Sequence, residues 1–329
     1  MNQENIFHIL FIAISLILIK YRLNVARYFK IMDIPNNTRK LHSKPISATG
    51  GIILFQYVTA SLIYLSYTSI ISTKHLMISL FLICYFFILG LLDDRHHLNA
   101  KVKIFFLLIV LLIVLPLDRA LNISVLTFKD LGYVIELNQG SLFFTIFCIF
   151  FLYNALNFAD GVNGVALGLC LFWLISIILS GFIINVFLVS IIISLFLLLI
   201  PNLLNKIFIG NSGVNFLSIV FSLIFINSYN NNYLFFDQII LLVFLPSIDM
   251  LRIVIERIFN DKSPLEADQN HFHHLLCRVI RAKYVFLPYL TFAVTPFLLN
   301  VMYLKSYIVL MASIIIYFVI LFFLKNKNA

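Results

Sequence analysis

The chain has 329 residues, of which 62% are hydrophobic and only 11% charged, and its formal net charge is +9. That balance lies far from the water-soluble globular range and inside the class of proteins that cross a membrane many times. The basic excess is spread over short segments between apolar runs and is not gathered in one domain, so no nucleic acid is expected as a partner.

In chain order, eleven apolar stretches have the length of about 17 to 20 residues that crosses a hydrocarbon layer of roughly 30 Å as helix. They cover about 5–21, 50–70, 75–92, 102–117, 141–157, 163–181, 183–200, 213–228, 234–251, 284–302 and 306–324. The first is read as a retained span. No basic leader precedes it, and Lys20 and Arg22 follow where a cleavage site would carry small residues. The fold expected is an all-α polytopic membrane protein of about 11 helices, or 10, forming one membrane domain over 1–329.

Lys and Arg near span ends collect on the cytoplasmic side. With an outer N-terminus and eleven crossings, one side carries 19 basic residues and the other only Lys74, Arg119, Lys129 and Lys305. This predicts a cytoplasmic C-terminus. The longest outward loop, 118–140, holds the runs "ISVLTF" and "GYVIEL", which predict a small external β-hairpin near 123–137. Cys84, Cys148 and Cys170 fall within apolar stretches and Cys277 in an inner loop, so no disulfide is expected.

Five polar segments fall on the inner side. "DIPNNTRKLHSKPISATGGI", 33–52, sets Arg39, Lys40, His42 and Lys44 before a double glycine; a basic inner loop with a turn explains it in isolation. "LLDDRHHLNAKVK", 91–103, ends a span with Asp93 and Asp94 side by side. Adjacent like charges resist double ionisation, a penalty that a divalent cation or a cationic clamp relieves, and a solvated helix end is the plain alternative. Lys101 and Lys103 follow about two turns later, within reach of a phosphate.

"YNALNFADGVNG", 153–164, places Asn154, Asn157 and Asp160 at three-residue intervals on one side of a helix, with Gly161 and Gly164 marking a tight turn. Hydrogen bonding between helices is the competing explanation. "IFIGNSGVNF", 207–216, opens a span around Gly210 and Gly213, where free amides suit an anion, or where Asn211 or Ser212 acts as a plain cap. "IERIFNDKSPLEADQNHFHHLL", 255–276, brings His271, His273 and His274 near Arg257, Lys262 and Asp268. A closed zinc site would need a fourth ligand that this segment lacks, and phosphate hydrogen bonding suits it better.

Taken in order, "DxPNxxRKxH…GG", "GxxDD…K", "NxxNxxDGxxG", "FxGxSG" and "HxHH" resemble the motifs of the polyprenyl-phosphate N-acetylhexosamine-1-phosphate transferases. This is glycosyltransferase family 4, which includes undecaprenyl-phosphate GlcNAc-1-phosphate transferase and phospho-MurNAc-pentapeptide translocase. The resemblance runs from Asp33 to Leu276, and "DQNHFHHLL" is similar to the hexosamine branch.

The resemblance implies a reaction in which the phosphate of a polyprenyl phosphate attacks the β-phosphorus of a UDP-N-acetylhexosamine and UMP leaves. It implies Mg2+, with Mn2+ as a substitute, and a site on the cytoplasmic face of a bacterial inner membrane. The catalytic set it implies is Asp93, Asp94, Asp160 and His271, with the aspartate pair orienting the lipid phosphate and one of them accepting its proton. The substrate-binding set is Lys40, His42, Lys103, Asn154, Asn157, Asn163, His273 and His274, and Asn157 and Asn211 approach the metal. Expected partners are the lipid phosphate and the UDP-sugar, with a homodimer as the candidate assembly.

The chain departs from the family pattern at Asn163 and Asn211, where relatives carry acids, at Val214 after Gly213, and at Gln269 after Asp268. Position 211 corresponds to a metal-binding aspartate, and an amide oxygen there brings no charge to Mg2+, so weaker metal binding is expected. Asn211→Asp is then expected to raise metal affinity or rate. Two other readings stay open: a member that binds lipid or nucleotide with little turnover, and a transporter. The latter is disfavoured because the polar residues cluster at one face, whereas transport paths place them near the midplane.

Overall fold

The computed structural model describes residues 2–35, 44–67, 72–264 and 270–326. In chain order its main elements are α1 (Gln3–Lys20), α2 (Arg22–Phe29), β1 (Met32–Asp33), β2 (Ile46–Ser47), α3 (Gly50–Tyr67), α4 (Thr73–His96) and α5 (Ala100–Val114). Then follow β3 (Val125–Phe128), β4 (Tyr133–Glu136), α6 (Ser141–Ala159), α7 (Val165–Leu179), α8 (Val186–Leu203) and α9 (Gly210–Asn230). The chain ends with α10 (Phe236–Leu242), α11 (Phe244–Phe259), α12 (Phe272–Cys277), α13 (Phe286–Met302) and α14 (Ser306–Asn326).

Each of the eleven apolar stretches is helical over most of its described residues. Among the described residues nine helices are long and apolar enough to cross a membrane, or ten if the pair α10 and α11, bent by 73°, is one span. The count of 10 expected as the alternative agrees with this, and the expected 11 exceeds it by one stretch. The remaining stretch, α7, is a shorter apolar helix of 15 residues, about 22 Å at 1.5 Å per residue. Its apolar run reads longer in sequence because it includes residues spent in the turns that flank the helix, the last of them at Gly181 with φ +93°.

The bend before α11 has a local cause. Pro246 has no N–H to donate to the carbonyl of Leu242 four residues earlier. The indole Nε1–H of Trp173 takes that carbonyl at 2.9 Å, so the broken helix keeps its hydrogen bond without continuing straight.

The chain forms two compact units, Met1–Leu121 with Leu174–Leu223, and Asn122–Trp173 with Ile224–Ala329. In the first, α3 packs along α8 and α4, and α1 lies on α8 and α3. Helix ends gather at one end of this unit. Arg22 Nε donates to the Lys206 carbonyl at 3.1 Å, and the Gly50 and Gly51 amides donate to the carbonyls of Phe208 and Ile209 at 3.0 and 2.9 Å. At its other end, His75 Nδ1 lies 2.7 Å from Asp118 Oδ2. Within this unit the ends of α1, α4 and α8 thus share a face with the starts of α3, α5 and α9.

In the second unit α6 packs on α11, and α13 on α10, α11 and α14. One end carries β3 and β4, an antiparallel pair with Val125 opposite Glu136 and Phe128 opposite Tyr133. Tyr229 pins it: the hydroxyl donates to the Val125 carbonyl at 2.6 Å and accepts the Thr127 N–H at 2.7 Å. Asp237 accepts from the amides of Lys129 and Asp130 and from the Ser306 hydroxyl. Asp130 in turn accepts from the Ser306 amide and Asn300 Nδ2. Burial pushes the Asp130 carboxyl up, but these bonds and the charge of Lys305 outweigh it and hold it below the usual carboxylate range.

All four cysteines are free thiols.

Candidate active site

Asp93 and Asp94 end α4 with separate partners. Asp93, 3% exposed, accepts the Leu98 N–H at 2.9 Å and the Lys103 ammonium at 2.8 Å. Asp94 points to α9, where Oδ1 accepts the Asn211 N–H at 2.7 Å and Oδ2 the Ser212 N–H at 2.9 Å. The amide cluster at the 207–216 turn therefore already holds an anion, which is the chain's own carboxylate. A helix N-terminus attracts such a charge through its unpaired N–H groups and its dipole. The two helices meet this closely because of Gly90: a Cβ there would collide with the backbone of Asn211 and Ser212.

The first unit thus brings together Asp93, Asp94, Lys103 and Asn211. Lys103 keeps part of its side chain exposed, at 21%.

The second unit assembles the other motifs. Asn154 Nδ2 donates back to the Phe150 carbonyl at 2.7 Å, Asn157 is half-buried on the same helix, and Asp160 is the C-cap residue of α6. Asn163 is half-buried in the turn that follows. Phe158 ties α6 to the histidine segment, with its ring edge-on to His271 at 5.0 Å and under the Arg257 guanidinium at 5.4 Å.

The three histidines are not equivalent. His273 is fully buried and neither ring nitrogen has a hydrogen-bond partner among the described residues, whereas His274 is half-exposed at the start of α12. A Cβ at position 161 would strike His273 Nε2, so the glycine after Asp160 makes room for an imidazole. Burial, with the neighbouring His274 and His271 adding to it and Asp249 opposing, pushes the His273 imidazole well below its ordinary value. It is a neutral ring that packs, stacked on His271 at 5.4 Å with planes 2° apart.

His271 is held by a residue to which the sequence reading gave no role. Its Nδ1 lies 3.2 Å from Asp249 Oδ2. Asp249 also accepts from Arg252 Nη2 at 2.7 Å, the Tyr317 hydroxyl at 2.8 Å and the Phe272 N–H at 3.1 Å. The available signal was an Asp and an Arg three residues apart in an apolar helix, where unpaired charge is too costly to be incidental. Lys40 and His42 lie outside the described residues, as do Asp268 and Gln269. Among the described residues, no three His, Cys, Asp or Glu side chains group to hold a metal.

Comparison with known proteins places this arrangement. A model of glycosyl transferase family 4 matches residues 76–229, which include Asp93, Asp94, Lys103, the Asn154–Asp160 stripe and Asn211. The chain is 30% identical over 254 residues to a probable undecaprenyl-phosphate N-acetylglucosaminyl 1-phosphate transferase of Bacillus subtilis, covering 74% of this chain and 69% of that protein. It belongs to glycosyl transferase family 4.

Family 4 membership makes it a transferase. It is 25% identical over 278 residues to the undecaprenyl-phosphate alpha-N-acetylglucosaminyl 1-phosphate transferase of Escherichia coli K12, covering 77% of this chain and 71% of the relative. A decaprenyl-phosphate N-acetylglucosaminephosphotransferase of Mycobacterium leprae is 24% identical over 231 residues, covering 58% and 55%.

Proposed function

We propose that this family 4 protein transfers a HexNAc-1-phosphate from a UDP-sugar to undecaprenyl or another polyprenyl phosphate, releasing UMP. The observation that carries the reading is the pairing of the family's aspartate and histidine motifs with buried partners, in a chain 30% identical to a transferase named for that activity. The lipid phosphate oxygen bonds to the β-phosphorus as the bond from that phosphorus to the oxygen of UMP breaks. Charge builds on crowded phosphates, so fixed cations and donors do most of the work. Lys103 supplies the ammonium beside Asp93, and His271 supplies a ring nitrogen to the pyrophosphate.

The donor chemistry fits Mg2+ or Mn2+ in only one way. In the second unit Asn157 offers a neutral amide oxygen and Asp160 a carboxylate, and in the first unit Asn211 offers an amide oxygen; donors of so little charge suit a cation that arrives on substrate phosphates and keeps several waters. Such a cation neutralises phosphate charge when bound. Asn211→Asp should lower the Mg2+ concentration needed for half-maximal rate; an increase sinks the assignment of position 211.

We place the site on the cytoplasmic side of a bacterial inner membrane, with the N-terminus and the β3–β4 hairpin outside. The common face shared by the ends of α1, α4 and α8 supports this, because the basic residues near 20–30, 95–103 and 206 all fall there.

The deciding experiment gives purified protein labelled UDP-GlcNAc or UDP-GalNAc with undecaprenyl phosphate, with and without Mg2+ or Mn2+, and measures UMP and lipid-linked sugar. Lipid-linked product with stoichiometric UMP is expected. Movement of donor across vesicles without UMP release would establish the transporter in its place.

A further inference from the structure

We propose that Tyr317, on the last helix, and Asp249 are positioning residues that fix the orientation and tautomer of His271; this rests on the transfer reading above. Asp249 is a buried carboxylate in an ion pair with Arg252, so toward an imidazole it can only accept. His271 Nδ1 must then carry the proton, which leaves Nε2 as the nitrogen free to meet a substrate phosphate. The Tyr317 hydroxyl completes the carboxylate's setting, accepting from Arg252 Nε at 2.8 Å and donating to Asp249 Oδ1 at 2.8 Å.

Each group in the chain is held from a second direction. Arg252 also donates to Glu256 at 2.9 Å and to the Asn270 carbonyl at 2.6 Å, just before the histidine segment. Lys325, near the end of the same helix as Tyr317, donates to Glu256 at 2.6 Å. The ring itself is fixed by the parallel face of His273 and the edge of Phe158. An imidazole constrained at Nδ1 and on two flanks has one useful direction left. The last helix therefore does more than fill the bilayer, although Tyr317 lies beyond both the sequence motifs and the segment that the family model matches.

The test uses the full-length protein in nanodiscs and compares wild type with Tyr317→Phe, Asp249→Asn and Asp249→Glu. For Tyr317→Phe we expect kcat to fall about tenfold, and for Asp249→Asn about a hundredfold, at the low end of what a positioned proton-transfer group contributes. KM for the UDP-sugar should stay within about twofold, the pattern of an interaction realised in the transition state. Asp249→Glu, which keeps the charge, should recover part of kcat. A second readout needs no turnover: diethyl pyrocarbonate modification of His271 at pH 8, followed by peptide mass, should slow severalfold in Tyr317→Phe and Asp249→Asn, since the carboxylate on Nδ1–H fixes Nε2 as the nitrogen with the lone pair that attacks the reagent.

Wild-type protein that releases no UMP overturns the transfer reading alone. Equal modification rates in wild type and variants overturn the positioning role, whether or not the protein turns over. So does a wild type that turns over alongside variants with unchanged kcat.

Discussion

Asp94 accepts the backbone N–H groups of both Asn211 and Ser212, so a carboxylate from the end of α4 sits on the first turn of α9. This resolves why two aspartates can stand side by side at a span end. Each has its own partner, the Lys103 ammonium for Asp93 and the helix N-terminus for Asp94.

Asp94→Asn tests that relationship. The amide has one acceptor oxygen where the carboxylate has two, so one of the two α9 amides loses its partner and the dipole loses its charge. The cost expected from a lost cap and charge–dipole attraction is about 1–2 kcal/mol. Thermal unfolding in detergent should drop by a few degrees, and Asp94→Ala by more. An unchanged midpoint in both variants would mean that the contact contributes nothing.

How far the sequence disclosed this arrangement depends on the kind of signal. Helices and the polar face were legible, because hydropathy and basic-residue bias are local properties. The bend at α11 was not, although Pro246 was in view: what makes the break tolerable is an indole from α7 reaching the orphaned Leu242 carbonyl. The motif histidines look alike in "HFHH", and only packing separates buried His273 from half-exposed His274. Asp249 and Arg252 could have been found from their spacing. Tyr317 could not, since a tyrosine in a greasy helix is ordinary and its partners are some 65 residues away.

Gly161→Ala should act through His273. The added methyl overlaps the imidazole, and overpacking of this kind costs about 1–3 kcal/mol. Combining it with His273→Ala should restore part of the lost stability, giving a coupling well outside the few tenths expected of independent sites. Additive effects in the double-mutant cycle would show that the two residues do not touch.

The same imidazole sets an acid sensitivity. Its folded value lies below the ordinary 6.5, so below pH 6.5 the unfolded chain binds a proton that the folded chain resists. The stability is fully present above about pH 6.5 and is lost as pH falls from there through the folded value. Melting temperature should therefore fall between pH 7.5 and 5.5 in wild type, and fall less in His273→Asn, which cannot titrate. Parallel curves for the two proteins would contradict the assignment.

Tyr229 offers a test remote from the chemistry. Its hydroxyl takes the Thr127 N–H and gives its own proton to the Val125 carbonyl, so Tyr229→Phe removes a donor and an acceptor from β3 at once. Leaving such backbone groups unmatched costs about 1–3 kcal/mol when water cannot reach them. Because β4 is exposed along its whole length, loosening should appear first in the hairpin. Limited proteolysis of vesicle-embedded protein should cut between 125 and 136 faster in the variant, while UMP release falls less than twofold. If cutting is unchanged, the Tyr229 contacts do not hold the hairpin, and the Asp130 and Asp237 contacts are the next to test. The complementary variant Asp237→Asn, which weakens acceptance from Lys129, Asp130 and Ser306, should then release it.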